Sequence, residues 1–133
     1  MMEYQTVFDP VRQKHVALTP EERVRQCVIQ YLNRRLHYPF ELMQVEGTIA
    51  LNGMRRRCDI VVYDRQMRPS VIVECKRPDV AITQKVIDQA CRYNCALHVP
   101  YLLLTNGSQM LSLHATAETL TTIDHLPDWD MIK

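Results

Sequence analysis

The run Val71-Ile72-Val73-Glu74-Cys75-Lys76 constrains the fold more than any other part of the chain. Val71 to Val73 form a short, unbroken apolar segment, the pattern of a strand buried on both faces. An acid and a base at the end of such a run are costly to bury unless something pairs with them. Side chains alternate along a strand, so Glu74 and Lys76 are expected on one face. A second run, Arg57-Cys58-Asp59-Ile60-Val61-Val62-Tyr63, carries another lone acid in a similar setting. Two acids and a lysine converging at the edge of a core suggest a divalent-metal site for phosphate chemistry.

The elements around these runs predict an N-terminal arm, residues 1–18, and a single domain over residues 19–133. The arm holds at most a short strand near His15 to Leu18. A first helix opens at Thr19-Pro20-Glu21-Glu22, with Thr19 as N-cap, Pro20 at the first helical position and Glu22 completing a capping box. Val24, Cys27, Val28, Tyr31, Leu32 and Leu36 then recur at the spacing of one buried helix face, and Pro39 closes the segment. Strands are expected over Leu42 to Leu51 and Met54 to Tyr63, joined by Asn52-Gly53, the strongest short hairpin signal. A two-residue turn there sets Glu46 opposite Asp59. The polar loop Asp64 to Pro69 makes a second turn, and pairing Asp59 with Glu74 centres it between Gln66 and Met67.

A second helix is expected over Ile82 to Leu97, with Ile82, Val86, Ile87, Ala90, Cys91 and Leu97 on its apolar face. Lys85, Gln89, Arg92 and Tyr93 form its polar stripe. Strands over Val99 to Thr105 and Gln109 to His114 follow, and the tail shows no clear element. A helix crossing between buried strands implies a locally parallel pair. The fold class is therefore α/β: a mixed central sheet of three antiparallel strands, a crossover helix and further strands, flanked by helices.

Composition narrows the setting. A hydrophobic content of 47% and a charged content of 23% are ordinary for a globular domain. The net charge of +1 gives no bulk attraction to nucleic acid, so any such affinity must come from a local patch. No apolar run is long enough to span a membrane, and Met1 to Val16 is too polar for a signal peptide. The five cysteines are odd in number and fall inside expected helices and strands, which argues for a reducing cytoplasm over a disulfide framework. Cys91 and Cys95 lie one helical turn apart, but without a CxxC they read as small core residues ahead of a zinc or thiol site.

Asp59, followed on the next strand by Glu74-Cys75-Lys76, resembles the PD-(D/E)xK nuclease motif, and the element order resembles that superfamily's restriction-endonuclease-like core. Gln89-Ala90-Cys91-Arg92-Tyr93 resembles its QxxxY motif. The likeness, over about residues 19 to 114, is to the N-terminal nuclease domain of the restriction subunit of type I restriction enzymes. That subunit continues into a helicase motor; with three glycines and no phosphate-binding loop, this chain carries no motor of its own.

The resemblance implies a metal-dependent DNA endonuclease or nuclease subunit using Mg2+ or Mn2+, with helicase or other restriction subunits as partners. Asp59 and Glu74 would be metal ligands, joined by the Cys75 carbonyl, and Lys76 would orient water or stabilise developing charge. Glu22 is either a further ligand or only a helix cap, and Glu46 either approaches Asp59 or is a solvated strand residue. Gln89 and Tyr93 would touch DNA or support the Lys76 region. Arg55, Arg56, Arg57, Arg77, Lys85 and Arg92 would bind phosphates without reading sequence. The competing account is a binding or interaction module that keeps the fold and does not cleave, with Glu74 and Lys76 as a strand-end salt bridge.

Overall fold

The computed structural model describes residues 4–51 and 53–132, apart from the side chains of Leu51, Met54, Cys95 and Ala96. The chain order is β1 (Thr6–Asp9), β2 (Lys14–Ala17), α1 (Pro20–Arg34), a 3-10 turn (Phe40–Leu42), β3 (Met43–Leu51), β4 (Met54–Tyr63) and β5 (Pro69–Cys75). Then come α2 (Gln84–Leu97), β6 (Tyr101–Thr105), β7 (Met110–Ala115), β8 (Leu120–Ile123) and α3 (Trp129–Ile132). The six strands β3 to β8 lie side by side in sequence order. Only β5 and β6 run parallel, joined by the α2 crossover. The other neighbours are antiparallel.

The strand expected near His15 to Leu18 is present as β2, but the arm also holds β1, and the two form a hairpin. It is pinned to α1 by Arg12, whose guanidinium reaches Glu22 at 2.7 Å. The tail also has structure that its sequence hid. Strand β8 pairs with β7. Beyond it, the Trp129 N–H donates to the Leu36 carbonyl at 2.8 Å and the Tyr38 hydroxyl donates to the Pro127 carbonyl at 2.5 Å. The buried segment that follows α1, with Leu36 and Tyr38, is thus tied to residues near the other end of the described chain.

Apolar residues in alternate positions serve two cores, which is why the central strands read as unbroken apolar runs. Ile60, Val62, Val71, Val73 and Leu103 pack with Val24, Val28, Ile29 and Leu32 of α1. Val61, Ile72, Leu102 and Leu104 pack on the other face with Ala90 and Leu97 of α2. The sheet is the middle of three layers.

The first turn centres where the pattern required, and the second is displaced by half a residue. Leu51 pairs with Met54, and Gly53 takes a φ of +77° that suits glycine; Asn52 lies outside the described residues. Val62 pairs with Val71, the register of the expected turn, but the ladder shifts by one residue at Val62/Tyr63, so the last pair, Tyr63 with Pro69, centres the second turn on Gln66. Asp64 builds that turn by accepting the Gln66 and Arg68 N–H groups, each at 2.9 Å.

The β3–β4 ladder carries one irregularity. It pairs Val45 with Ile60 and Gly47 with Cys58 but skips Glu46 and Asp59, which the register sets opposite each other. Glu46 has a φ of +56°, rare for a residue with a Cβ. The inward faces switch there. Val45 and Ile60 pack toward α1, whereas Ile49 and Cys58 pack toward α2. Residues two apart on a regular strand share a face, so Cys58 and Ile60 could not part company without this bend. Ile60, fully buried beside the bend, should be the sensitive point. Ile60→Ala is expected to lower stability by about 2–5 kcal/mol, read from the urea midpoint; a loss within the range of a surface change would mean the bend does not rest on this packing.

Candidate metal and nucleic-acid site

The β4–β5 ladder ends at Ile60 and Val73, and beyond that pair the two strands part. A cavity of about 350 Å³ opens where they separate, lined by Asp59 and Glu74 together with Glu21, Arg25, Glu46, Arg56, Arg57 and Cys58. Asp59 fills part of the gap left by the missing ladder. Its Oδ2 accepts the Cys75 N–H at 2.9 Å, so a side chain replaces the backbone partner that β4 no longer offers. Its Oδ1 accepts from Arg25 Nη2 at 3.1 Å.

Arg25 is the central cation that sequence reasoning missed. It is only 7% exposed. It donates to Glu22 Oε1 at 2.9 Å and lies 3.6 Å from Glu46 and 3.7 Å from Glu21. Burial disfavours its charge, but Asp59, Glu22 and Glu46 outweigh that and hold its pKa above the ordinary arginine value. Its spacing from Glu21 and Glu22, four and three residues, was a visible ion-pair signal. Nothing in the sequence showed that this pair faces inward.

Glu22 does not line the cavity. Its N–H donates to Thr19 Oγ1 at 3.1 Å, the cap expected of it. Its carboxylate does not reach back to the cap, but is shared among Arg12, Arg25 and Gln26. It is therefore a buried buttress for Arg25. Glu46 lines the cavity and is tied to Arg57 Nη2 at 2.6 Å. That hydrogen bond lowers its pKa despite some burial, with Arg25 adding to the effect.

Glu74 and Lys76 do not pair. Glu74 forms its ion pair with Arg56, and both side chains are nearly buried, at 12% and 13% exposure. The Arg56 guanidinium lies over the Tyr93 ring, 4.6 Å from its centroid, so the α2 stripe reaches the site through this arginine. Lys76 comes directly after β5, where its N–H donates to the Thr105 carbonyl at 2.8 Å. Its side chain is half-buried and has no ion-pair partner among the described residues. Cys75 is buried, and burial pushes its thiol pKa far up, so its backbone and not its sulfur is the chemically available part.

Lys76 does not line the cavity, and the remaining candidates also lie outside it. Arg55, Lys85, Gln89 and Arg92 are exposed, and exposed Arg77 pairs with Asp79 at 3.3 Å. Cys91 sits half-buried among the α2-side core residues, and the Cys95 side chain lies outside the described residues.

The donor set suits a hard divalent cation. Asp59 and Glu74 offer carboxylate oxygens to one cavity, and magnesium is commonly held by one or two carboxylates plus waters and phosphate oxygens. No group of three His, Cys, Asp or Glu side chains among the described residues is disposed to enclose an ion.

The chain matches the profile of the type I restriction enzyme R protein N terminus (HSDR_N) over residues 20–127, and it belongs to that family. Among solved structures it resembles a fragment of a candidate HsdR subunit of a type I restriction enzyme from Vibrio vulnificus YJ016. That likeness has a TM-score of 0.62 at 17% identity and covers 86% of this chain and 24% of that one. It also resembles a candidate nuclease of the DUF820 family from Anabaena variabilis ATCC 29413, with a TM-score of 0.54 at 10% identity. That match covers 94% of this chain and 80% of that one. At these identities the two structures show the shared fold. No curated protein matches the chain. Among the described residues, no helix is long and apolar enough to cross a membrane.

The electrostatics give a pH-dependent expectation. A carboxylate whose folded pKa is depressed stabilises the fold above its unfolded pKa, and the contribution is lost as pH falls through the folded value. Glu46 should titrate by NMR below the ordinary glutamate value, and Arg57→Ala should move the midpoint upward. An unmoved midpoint would show that Arg57 is not the cause.

Proposed function

We propose that this chain is a nuclease module that hydrolyses DNA phosphodiester bonds with a divalent cation, Mg2+ or Mn2+, within a restriction system. The observation that carries this reading is the convergence of Asp59 and Glu74, from two neighbouring strands, on one cavity at the point where those strands part. The names of the two similar structures, an HsdR subunit and a nuclease, support it. The match spans 24% of the HsdR fragment, and we extend the proposal to partners: the module works beside a motor and other restriction subunits in the cytoplasm.

Asp59, Glu74 and the Cys75 carbonyl would hold the cation. When bound, it would supply an activated water and a counter-charge for the phosphate. Asp59 is held in place by the Cys75 N–H on Oδ2 and by Arg25 on Oδ1, and the cation would have to share Asp59 with Arg25. Lys76, with no carboxylate of its own to hold it, would orient the attacking water and stabilise charge building on the phosphate oxygens. Arg55, Arg57, Arg77, Lys85, Gln89 and Arg92 would grip the backbone on either side. Such contacts fix position and carry no sequence information.

A second reading, a module that binds without cleaving, is favoured by one observation. Each proposed ligand already has an arginine, Arg25 on Asp59 and Arg56 on Glu74. A plasmid-nicking assay with manganese separates the readings, run beside a gel shift. Wild type should nick, and Lys76→Ala should lose nicking by a factor of about 10² or more while still binding DNA. A Lys76→Ala protein that nicks like wild type would remove Lys76 from the chemistry. A wild type that nicks no DNA, alone or with restriction subunits, would favour the binding module. Arg55→Ala combined with Arg57→Ala should flatten the dependence of log affinity on log salt by about 1 to 2 units of slope. An unchanged slope would place the phosphate contacts elsewhere.

A further inference from the structure

We infer that Arg56 is a positioning residue that latches Glu74 in the absence of metal and hands it over when DNA binds, so that metal and DNA binding reinforce each other. The inference rests on the reading of Asp59 and Glu74 as metal ligands and adds a switch to it.

Two arginines hold the two carboxylates, but they are built differently. Arg25 is fixed from several sides: it donates to Asp59 and Glu22 and lies within 4 Å of Glu21 and Glu46. Losing any single partner leaves it held. Among the described residues Arg56 has one ion pair, to Glu74, with Asp59 acting on it only at longer range. Its other support is the face of Tyr93, itself 42% exposed. Its Nη1 is buried with no hydrogen-bond partner, as is Arg25 Nε, but Nη1 lies at the free end of the guanidinium, where a better acceptor would remove the cost.

Glu74 cannot offer the same oxygens to a guanidinium and to a divalent ion without placing like charges side by side. A cation entering between Asp59 and Glu74 must therefore draw Glu74 away from Arg56. The released guanidinium needs an anion, and a phosphodiester lying across the exposed α2 stripe is one; the fork geometry of arginine suits phosphate oxygens. Tyr93 would keep the guanidinium plane at the mouth of the cavity during the exchange, which gives the tyrosine of the QxxxY pattern a role through Arg56 and not through direct contact with the metal.

The two events then share one element with two arrangements, and linkage makes their coupling reciprocal. Free protein should bind manganese weakly. Adding a short DNA duplex should tighten that binding by at least ~5-fold, the low end of measured coupling between sites.

Calorimetric titration of manganese into wild type, Arg56→Gln, Tyr93→Leu and Asp59→Ala, each with and without the duplex at fixed ionic strength, tests this. Arg56→Gln should bind manganese at least ~5-fold tighter than wild type without DNA and should lose the gain that the duplex confers. A merely structural arginine would do the opposite, since its removal would loosen the site. Tyr93→Leu keeps the charge and removes its platform, and should shift affinity in the same direction by a smaller factor. It decides the matter should Arg56→Gln fail to fold. Unchanged or weaker manganese binding in the folded variants, with Asp59→Ala abolishing it, would overturn the latch and leave the metal site standing. Equal binding by wild type and Asp59→Ala would overturn the metal reading and the latch together.

Discussion

The hydrogen bond from the Cys75 N–H to the Asp59 carboxylate organises this molecule. Strands β4 and β5 pair as far as Ile60 and Val73, and Asp59 spans the opening beyond. Without that acceptor, a buried N–H on a central strand would be orphaned, at a cost of about 1–3 kcal/mol. With it, the strands can part while the core closes beneath them. The same carboxylate faces Arg25 and lines the cavity, so the residue that ends the ladder also begins the site.

The charges around that point are nearly balanced from within. Four carboxylates and three guanidiniums line the cavity. Breaking one partner from such a group is costly, because it leaves an uncompensated charge in a poor solvent. The arrangement keeps acids close together in the absence of metal, and it makes arginines the groups with which a cation must compete. Glu22 belongs to this scheme as the support of Arg25, tied in turn to the N-terminal hairpin through Arg12. A β-hairpin whose sequence looks like a loose arm thus braces the site from outside the sheet.

Much of the fold was legible because its signals are local. Capping by Thr19, the first turn centre and the apolar runs of β4 to β6 each arise from short-range chemistry, and the structure has them where expected; the second turn differs only by a one-residue register shift at Val62/Tyr63. Register then carried Glu46 to its place opposite Asp59. The site was less legible because its partners are distant in sequence. Arg25 and Asp59 are 34 residues apart, and a buried arginine on a helix reads like a solvated one. Glu74 and Lys76 were expected on one face, but which cation would hold Glu74 was not legible: its partner is Arg56, 18 positions earlier on the neighbouring strand. Strand β8 and α3 escaped because short edge and tail elements carry little periodicity and take their form from packing, as Trp129 shows against Leu36.

The central claim is that Asp59 and Glu74 share one divalent cation. Anomalous diffraction from crystals grown with manganese and a short DNA duplex tests it most directly. The expected result is a peak between the two carboxylates, at about 2.1 Å from an oxygen of each, with Arg56 withdrawn from Glu74. A map with no peak there, and Arg56 still paired with Glu74 beside bound DNA, would contradict it.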